Sequence, residues 1–213
     1  MIKYYTVLGE GESTQIIEKS KFIGYARETH SREDADKFFS KIREKHKDAT
    51  HNVPAFVIGD KMELKWASDD GEPQGTSGPP ILKLLENEGL TNVAVIVTRY
   101  FGGTLLGTGG LARAYTSTAK EALKSAGYAE VIDAVSVRSE IDYQYYDKLK
   151  NALPSEEFIF SDVEYLEKIT LTITTKIEEE DKLLERISSI TGGTGIIIGK
   201  KMHDVKSPAT NKD

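Results

Sequence analysis

The alternation of apolar and polar positions changes rhythm near the middle of this chain. Residues 14–26 read as one strand, in which polar Glu18-Lys19-Ser20-Lys21 precedes apolar Phe22-Ile23-Gly24-Tyr25-Ala26. Ser31 then stands before Glu33 and Asp34, a helix start, because a hydroxyl suits the N-cap and acids suit the positive end of the dipole. Ala35, Phe38, Phe39 and Ile42 give that helix one apolar face as far as about Lys47. Residues 53–58 and 62–67, separated by Gly59-Asp60, read as a hairpin with Met62, Leu64 and Trp66 alternating. A loop rich in Gly, Pro and Ser covers 69–80, and helix resumes over 79–87. The almost unbroken apolar run at 93–98 predicts a central buried strand. A second glycine-rich loop fills 99–110, before a helix over 111–125 that Gly127 stops.

Beyond Val131 the order is strand 131–141, helix 142–153, strands 158–162 and 164–175, helix 177–190 and strand 195–201. That is βαββαβ, the ferredoxin-like arrangement. The pattern predicts an α+β protein of two domains, 1–128 and 129–204, with 205–213 as a frayed tail.

The chain has 213 residues, 38% hydrophobic and 29% charged, which suits a globular protein with a sizeable core. No apolar run approaches the roughly 20 residues of a membrane span, and the N-terminus lacks the pattern of a signal peptide. The expected location is the cytoplasm. Cysteine is absent, which excludes disulfides, thiolate metal sites and cysteine nucleophiles. His30, His46, His51 and His203 show no helical metal spacing, so neither a metal nor a cofactor is expected. The net charge of −6 is uneven. Residues 1–128 carry 17 basic and 17 acidic side chains, and the remainder carries 11 and 17. An anionic partner would therefore meet less repulsion at the first domain.

The strongest local feature is the density of five glycines in residues 102–110: Gly102, Gly103, Gly107, Gly109 and Gly110. Glycines before a helix allow close backbone approach, and the helix end offers free N–H groups to an anion. Arg99 and Arg113 flank this stretch and are candidate anion ligands. The competing reading is tight strand–helix packing, with the arginines paired to Asp69 or Asp70. Gly107-Thr108-Gly109-Gly110-Leu111-Ala112 matches a dinucleotide fingerprint only formally, because residues 99–106 separate it from the strand. Lys19, Lys21 and His51 are further candidates for an anion or nucleic-acid face. Among nearby aromatics Tyr100 is expected to be exposed, and Trp66 and Phe101 buried. Asp69, Asp70 and Glu72 stand either as paired carboxylates or as structuring groups of a turn, with Thr76 and Ser77 as candidate caps of the next helix. No catalytic triad motif is present, and no catalytic residue is assigned.

These blocks also resemble a known family. Val97-Thr98-Arg99-Tyr100-Phe101-Gly102-Gly103, Leu106-Gly107-Thr108-Gly109-Gly110-Leu111 and Arg113-Ala114-Tyr115 resemble the signature of the IMPACT family, also called the YigZ or UPF0029 family. Asp69-Asp70-Gly71-Glu72-Pro73-Gln74-Gly75-Thr76-Ser77-Gly78 resembles its second block. Lys19-Ser20-Lys21-Phe22-Ile23 and His51-Asn52-Val53-Pro54-Ala55-Phe56 resemble two weaker ones. Val53 replaces a cysteine found in many members, and Leu105 a lysine found in some.

The resemblance implies a first domain similar to the second domain of a small-subunit ribosomal protein and to domain IV of elongation factor G. It implies a ferredoxin-like second domain similar to domain V of that factor. It further implies a non-enzymatic binding protein in translation regulation, with RNA or the ribosome as partner. A protein partner in translation control, or an enzyme acting on a phosphorylated small molecule, are the alternatives. No membrane partner is expected, and the oligomeric state is open.

Overall fold

The computed structural model describes residues 2–209. Strand β1 (Ile2–Val7) opens the chain, where the sequence pattern predicted nothing. The single strand expected over 14–26 is two: β2 (Gly11–Ile17) and β3 (Ser20–Glu28), paired as an antiparallel hairpin. Glu18 and Lys19 make the turn at φ 46° and 65°. A two-residue turn with both central residues left-handed matches the strand twist, and usually announces itself with Asn or Gly. Here it does not, which is why the pattern ran straight through it.

Helix α1 (Arg32–Lys45) starts as expected, with the Ser31 hydroxyl accepting from the Asp34 N–H at 3.1 Å. Strands β4 (His51–Ile58) and β5 (Leu64–Ala67) form the expected hairpin, with Phe56 opposite Trp66. Helix α2 (Gly78–Asn87), strand β6 (Val93–Tyr100) and helix α3 (Gly107–Ala126) follow. Helix α3 begins at Gly107 rather than at 111, so the second glycine block is half loop and half first turn.

The sheet runs β2-β3-β6-β4-β5 and is antiparallel throughout. Strands β3 and β4, joined by α1, lie either side of β6 and parallel to one another. Because β6 is central, its residues 93–97 are shut off from solvent. Alternation along a strand sends successive side chains to opposite faces. Val93, Val95 and Val97 pack with Ile81 and Leu85 of α2 and Leu111, Tyr115 and Leu123 of α3. Ala94 and Ile96 pack with Phe38, Phe39 and Ile42 of α1. The sheet is thus covered on both faces, which explains why its middle strand reads as unbroken apolar sequence.

The rest of the chain gives β7 (Tyr128–Ile141), α4 (Tyr143–Ala152), β8 (Ile159–Tyr165), β9 (Ile169–Lys176), α5 (Glu180–Ile190) and β10 (Ile196–Pro208). The pairings β10-β7-β9-β8, with β1 also on β7, give the ferredoxin-like order. Val137, Ile141, Leu171 and Ile173 of the sheet pack with Leu149 of α4 and Leu183 and Ile187 of α5. The protein is α+β with two compact units.

Three boundaries differ from expectation. The break between β8 and β9 falls at 166–168, not at 163, because β8 carries an irregularity between Ser161 and Glu164 that lets it run on. Strand β10 continues to Pro208, so 205–208 are sheet rather than tail. Ala209 follows the strand, and the last part of the expected tail, 210–213, lies outside the described residues. Among the described residues, contacts divide the chain into 4–131 with 206–209, and 2–3 with 132–205. The expected boundary at 128/129 lies within the start of β7.

Candidate functional site

The site follows from strand register. In the antiparallel ladders both Phe22 of β3 and His51 of β4 stand opposite Arg99 of β6. Residues opposed in register share a face. Alternation puts residue 99 on the face of Val95 and Val97, beneath α2 and α3. Phe22, Arg99 and His51 therefore form a row across three strands, and the loop between β5 and α2 closes over it.

Glu72 is the residue that loop delivers. Its Oε1 accepts from Arg99 Nη1 at 2.7 Å and from the Tyr115 hydroxyl at 2.7 Å. The Arg99 and Glu72 side chains are only 6% and 3% exposed. Arg99 also donates to Ser20 Oγ at 3.3 Å, and its guanidinium lies 5.4 Å from the Phe22 ring and 5.3 Å from the Phe101 ring. Its Nε finds no acceptor among the described residues. Burial, then the hydrogen bond to the Glu72 carboxylate, pushes the Tyr115 phenol far above its ordinary range. A carboxylate shared by a guanidinium and a phenol is a structural clamp. Arg99, expected as an anion ligand, is already committed to Glu72, and its partner is neither Asp69 nor Asp70.

His51 Nδ1 lies 2.8 Å from the Asp70 carbonyl oxygen, and its Nε2 lies 3.9 Å from Glu72 Oε2. A carbonyl only accepts, so Nδ1 carries a proton and Nε2 is an acceptor in the neutral ring.

The three acids of the loop do not form a cluster for acid–base work. Asp69 Oδ1 accepts from the N–H of Ser77 at 3.0 Å, the N–H of Gly78 at 2.9 Å and the Ser77 hydroxyl at 2.7 Å. Its Oδ2 accepts from the Gly75 N–H at 2.7 Å. Asp69 therefore caps α2 from eight residues upstream of Ser77, and the Ser77 side chain itself caps nothing. Burial alone would raise the Asp69 pKa. The hydrogen bonds from Gly75, Ser77 and Gly78 outweigh it and hold the carboxyl below its usual value. Asp70 Oδ2 accepts from the Asn52 N–H at 2.6 Å, fastening the loop to β4. Buried Thr76 turns inward and donates to the Pro73 carbonyl at 2.6 Å instead of capping the helix.

Tyr100 and Lys21 oppose one another in register, one position on from Arg99, and so belong to the other face. The Tyr100 hydroxyl lies 2.8 Å from His46 Nδ1, and His46 Nε2 lies 2.7 Å from the Tyr25 hydroxyl. Burial, then the charge of Lys45, lowers the His46 pKa, so this ring is neutral near pH 7. Of the aromatic expectations, burial fails for Phe101, while Tyr100 and Trp66 are both partly buried against one core. Tyr100 is tied down against the end of α1, whereas Phe101 is 46% exposed and Trp66 is only half-buried.

The glycines divide by purpose. A Cβ on Gly102 would collide with the Lys19 carbonyl, so Gly102 lets the loop after β6 pass over the β2–β3 turn. Gly107 takes φ +69° at the start of α3. Gly103 lies exposed in the loop, and Gly109 and Gly110 lie in the first turn of α3. That end has no side-chain cap, so its N–H groups face outward. The Arg113 guanidinium folds back to 3.5 Å from where a Cβ on Gly109 would stand. Lys19, Lys21 and Arg113 are exposed and make no ion pair among the described residues.

Two hollows flank this end of α3. One, of about 420 Å³, is lined by His51, Glu72, Arg99, Phe101, Leu106 and Thr108, with Pro73 and Leu111 completing an apolar wall. The other, of about 450 Å³, is lined by Ile17, Glu18, Leu106, Arg113 and Ser117. Leu105 and Leu106 belong to both, and Leu105 is 88% exposed. Sequence reasoning missed Ser20 and Tyr115 as partners of the buried pair. The available signal was a phenol hydroxyl on the largely apolar inward face of α3.

The comparisons accord with this architecture. Residues 18–123 match the Impact N-terminal domain, and residues 140–194 match DUF1949, a domain of unknown function. The chain is 36% identical over 190 residues to the IMPACT family member YvyE of Bacillus subtilis, covering 89% of this chain and 88% of that protein. It is 43% identical over 111 residues to the IMPACT family member YigZ of Escherichia coli, covering 51% and 54%. A crystal structure described only as a hypothetical protein superposes with a TM-score of 0.60 at 26% identity, over 92% of this chain and 97% of that one. Among the described residues no helix is long and apolar enough to cross a membrane, and no group of side chains forms a metal cluster. With both domain models matched in order and a relative aligned over nearly its whole length, the chain belongs to the IMPACT family.

Proposed function

We propose that this protein binds single-stranded RNA, on the ribosome or free, as a regulator of translation rather than as an enzyme. The observation that carries this reading is that Lys19, Lys21 and Arg113 are exposed and make no ion pair among the described residues, on elements that flank the loop carrying exposed Phe101. Lys21 pairs with Tyr100, next to Phe101, and the Lys19 backbone supports Gly102. Arg113 reaches the uncapped end of α3. Cations along a backbone track with an aromatic ring to stack a base are what sequence-tolerant single-strand binding needs. Family membership supports the translational side of the reading. The net-neutral balance of residues 1–128 supports placing the interface there.

The test is a salt series with short single-stranded RNA. Each phosphate contact on a single strand contributes about 0.7 to the slope of log affinity against log salt. Replacing Lys19, Lys21 and Arg113 by alanine should weaken binding and lower that slope by about 2. Undetectable binding at low salt, or a slope indifferent to these three residues, overturns the proposal.

A further inference from the structure

The cleft beside the clamp has a polarity the RNA reading does not use. We infer that it admits one unstacked base and selects bases bearing an exocyclic amino group. This rests on the RNA-binding reading above and gives it a specificity.

The argument begins with two acceptors. The hydrogen bonds that Arg99 and Tyr115 give to Glu72 both fall on its Oε1, which leaves Oε2 toward His51. In the neutral ring His51 Nε2 is an acceptor, because the Nδ1–H is spent on the Asp70 carbonyl. The two atoms are 3.9 Å apart, too far for a hydrogen bond between them. An amino nitrogen placed between them reaches both at hydrogen-bond distance and gives one hydrogen to each. A carbonyl oxygen in the same place would face two acceptors, and desolvated unpaired acceptors are costly.

The remaining walls fit the rest of such a ligand. Pro73, Leu106 and Leu111 offer apolar surface, and Phe101 offers a ring face at the mouth. The volume of about 420 Å³ is enough for a base and its sugar. Gly107 and Thr108, at the uncapped start of α3, line the same cleft, so a phosphate at the rim meets free N–H groups. Glu72 keeps Arg99 neutralised at the floor, so recognition is by hydrogen bonding and stacking, with charge confined to the rim.

Cytosine and uracil isolate the claim, because they differ at this edge by an amino group against a carbonyl. Fluorescence anisotropy of the full chain with short labelled oligo(C) and oligo(U), at one low salt concentration, reads it directly. Oligo(C) should bind about fivefold to thirtyfold tighter than oligo(U), the range for one or two net hydrogen bonds. His51→Ala should bring oligo(C) down toward oligo(U), and Phe101→Ala should weaken both about tenfold through lost stacking. His51 is partly exposed and Phe101 is at the surface, so neither variant endangers folding. Equal binding of both oligomers, with salt dependence intact, overturns this inference and leaves the RNA reading standing. Absence of binding to either overturns both. Cytidine monophosphate competing as well as oligo(C) overturns a strand as the source of the base.

Discussion

Glu72→Gln is the most informative single change, because it removes one charge from a buried pair and alters almost nothing in shape. In the wild type the carboxylate meets Arg99 at 2.7 Å, and both side chains are more than nine-tenths buried. Two unit charges about 4 Å apart at an effective dielectric of about 20 attract by roughly 4 kcal/mol. Removing one member of a buried pair costs about 3–5 kcal/mol, since the other charge stays buried. The glutamine carbonyl can still accept from Arg99 and Tyr115, which recovers part of this. The expected loss is therefore about 3 kcal/mol, at the low end of that range.

The protein supplies its own probe. Trp66 is the sole tryptophan and sits on β5, stacked on Phe56, so its fluorescence reports the N-terminal sheet without contribution from the ferredoxin-like unit. With a urea m-value of about 2 kcal/mol per molar, the midpoint should fall by about 1.5 M. Combining Glu72→Gln with Arg99→Met should recover at least half of the loss, because the uncompensated charge is gone and an apolar stem fills its place. The reasoning is wrong if Glu72→Gln alone costs less than about 1 kcal/mol, or if the two changes simply add.

Three further outcomes follow from the same geometry. The Asp69 pKa is lowered in the folded state, so its stabilisation is present above the unfolded value near 3.9 and is lost as pH falls through the folded value. Asp69→Asn should cost about 1–2 kcal/mol at pH 7 and should flatten the acid limb of the Trp66 unfolding profile. The Tyr115 pKa is raised, so its contribution is whole below the unfolded value near 10 and is lost as pH rises beyond it. Tyr115→Phe should reduce stability by about 1–2 kcal/mol at neutral pH and should blunt the loss between about pH 10 and 11, measured by urea titration. Gly102→Ala should destabilise by about 2 kcal/mol or more, because the new methyl meets the Lys19 backbone carbonyl, whereas Gly109→Ala should cost under about 1 kcal/mol.

Periodicity alone found α1, the β4–β5 hairpin, β6, α2 and the βαββαβ order, because each carries a pattern that burial imposes on its own residues. The glycine block and Arg99 were also legible as unusual. Their meaning was not. Whether Arg99 meets an anion or an internal carboxylate depends on which residues stand opposite it, and register is a property of paired strands. Phe22 and His51 flank Arg99 from 77 and 48 positions away, and the β5–α2 loop brings Glu72 above them. The β2–β3 turn was invisible because Glu18 and Lys19 take left-handed angles without the residues that usually signal them. Tyr100 and Arg99 are neighbours in sequence and on opposite faces of a sheet, so the strand pleat separated what the motif had joined. The sequence by itself determined most of the elements and the family blocks. The tertiary structure alone decided that Arg99 is a buried strut, that Lys19, Lys21 and Arg113 make no ion pair among the described residues, and that Glu72 and His51 line one cleft.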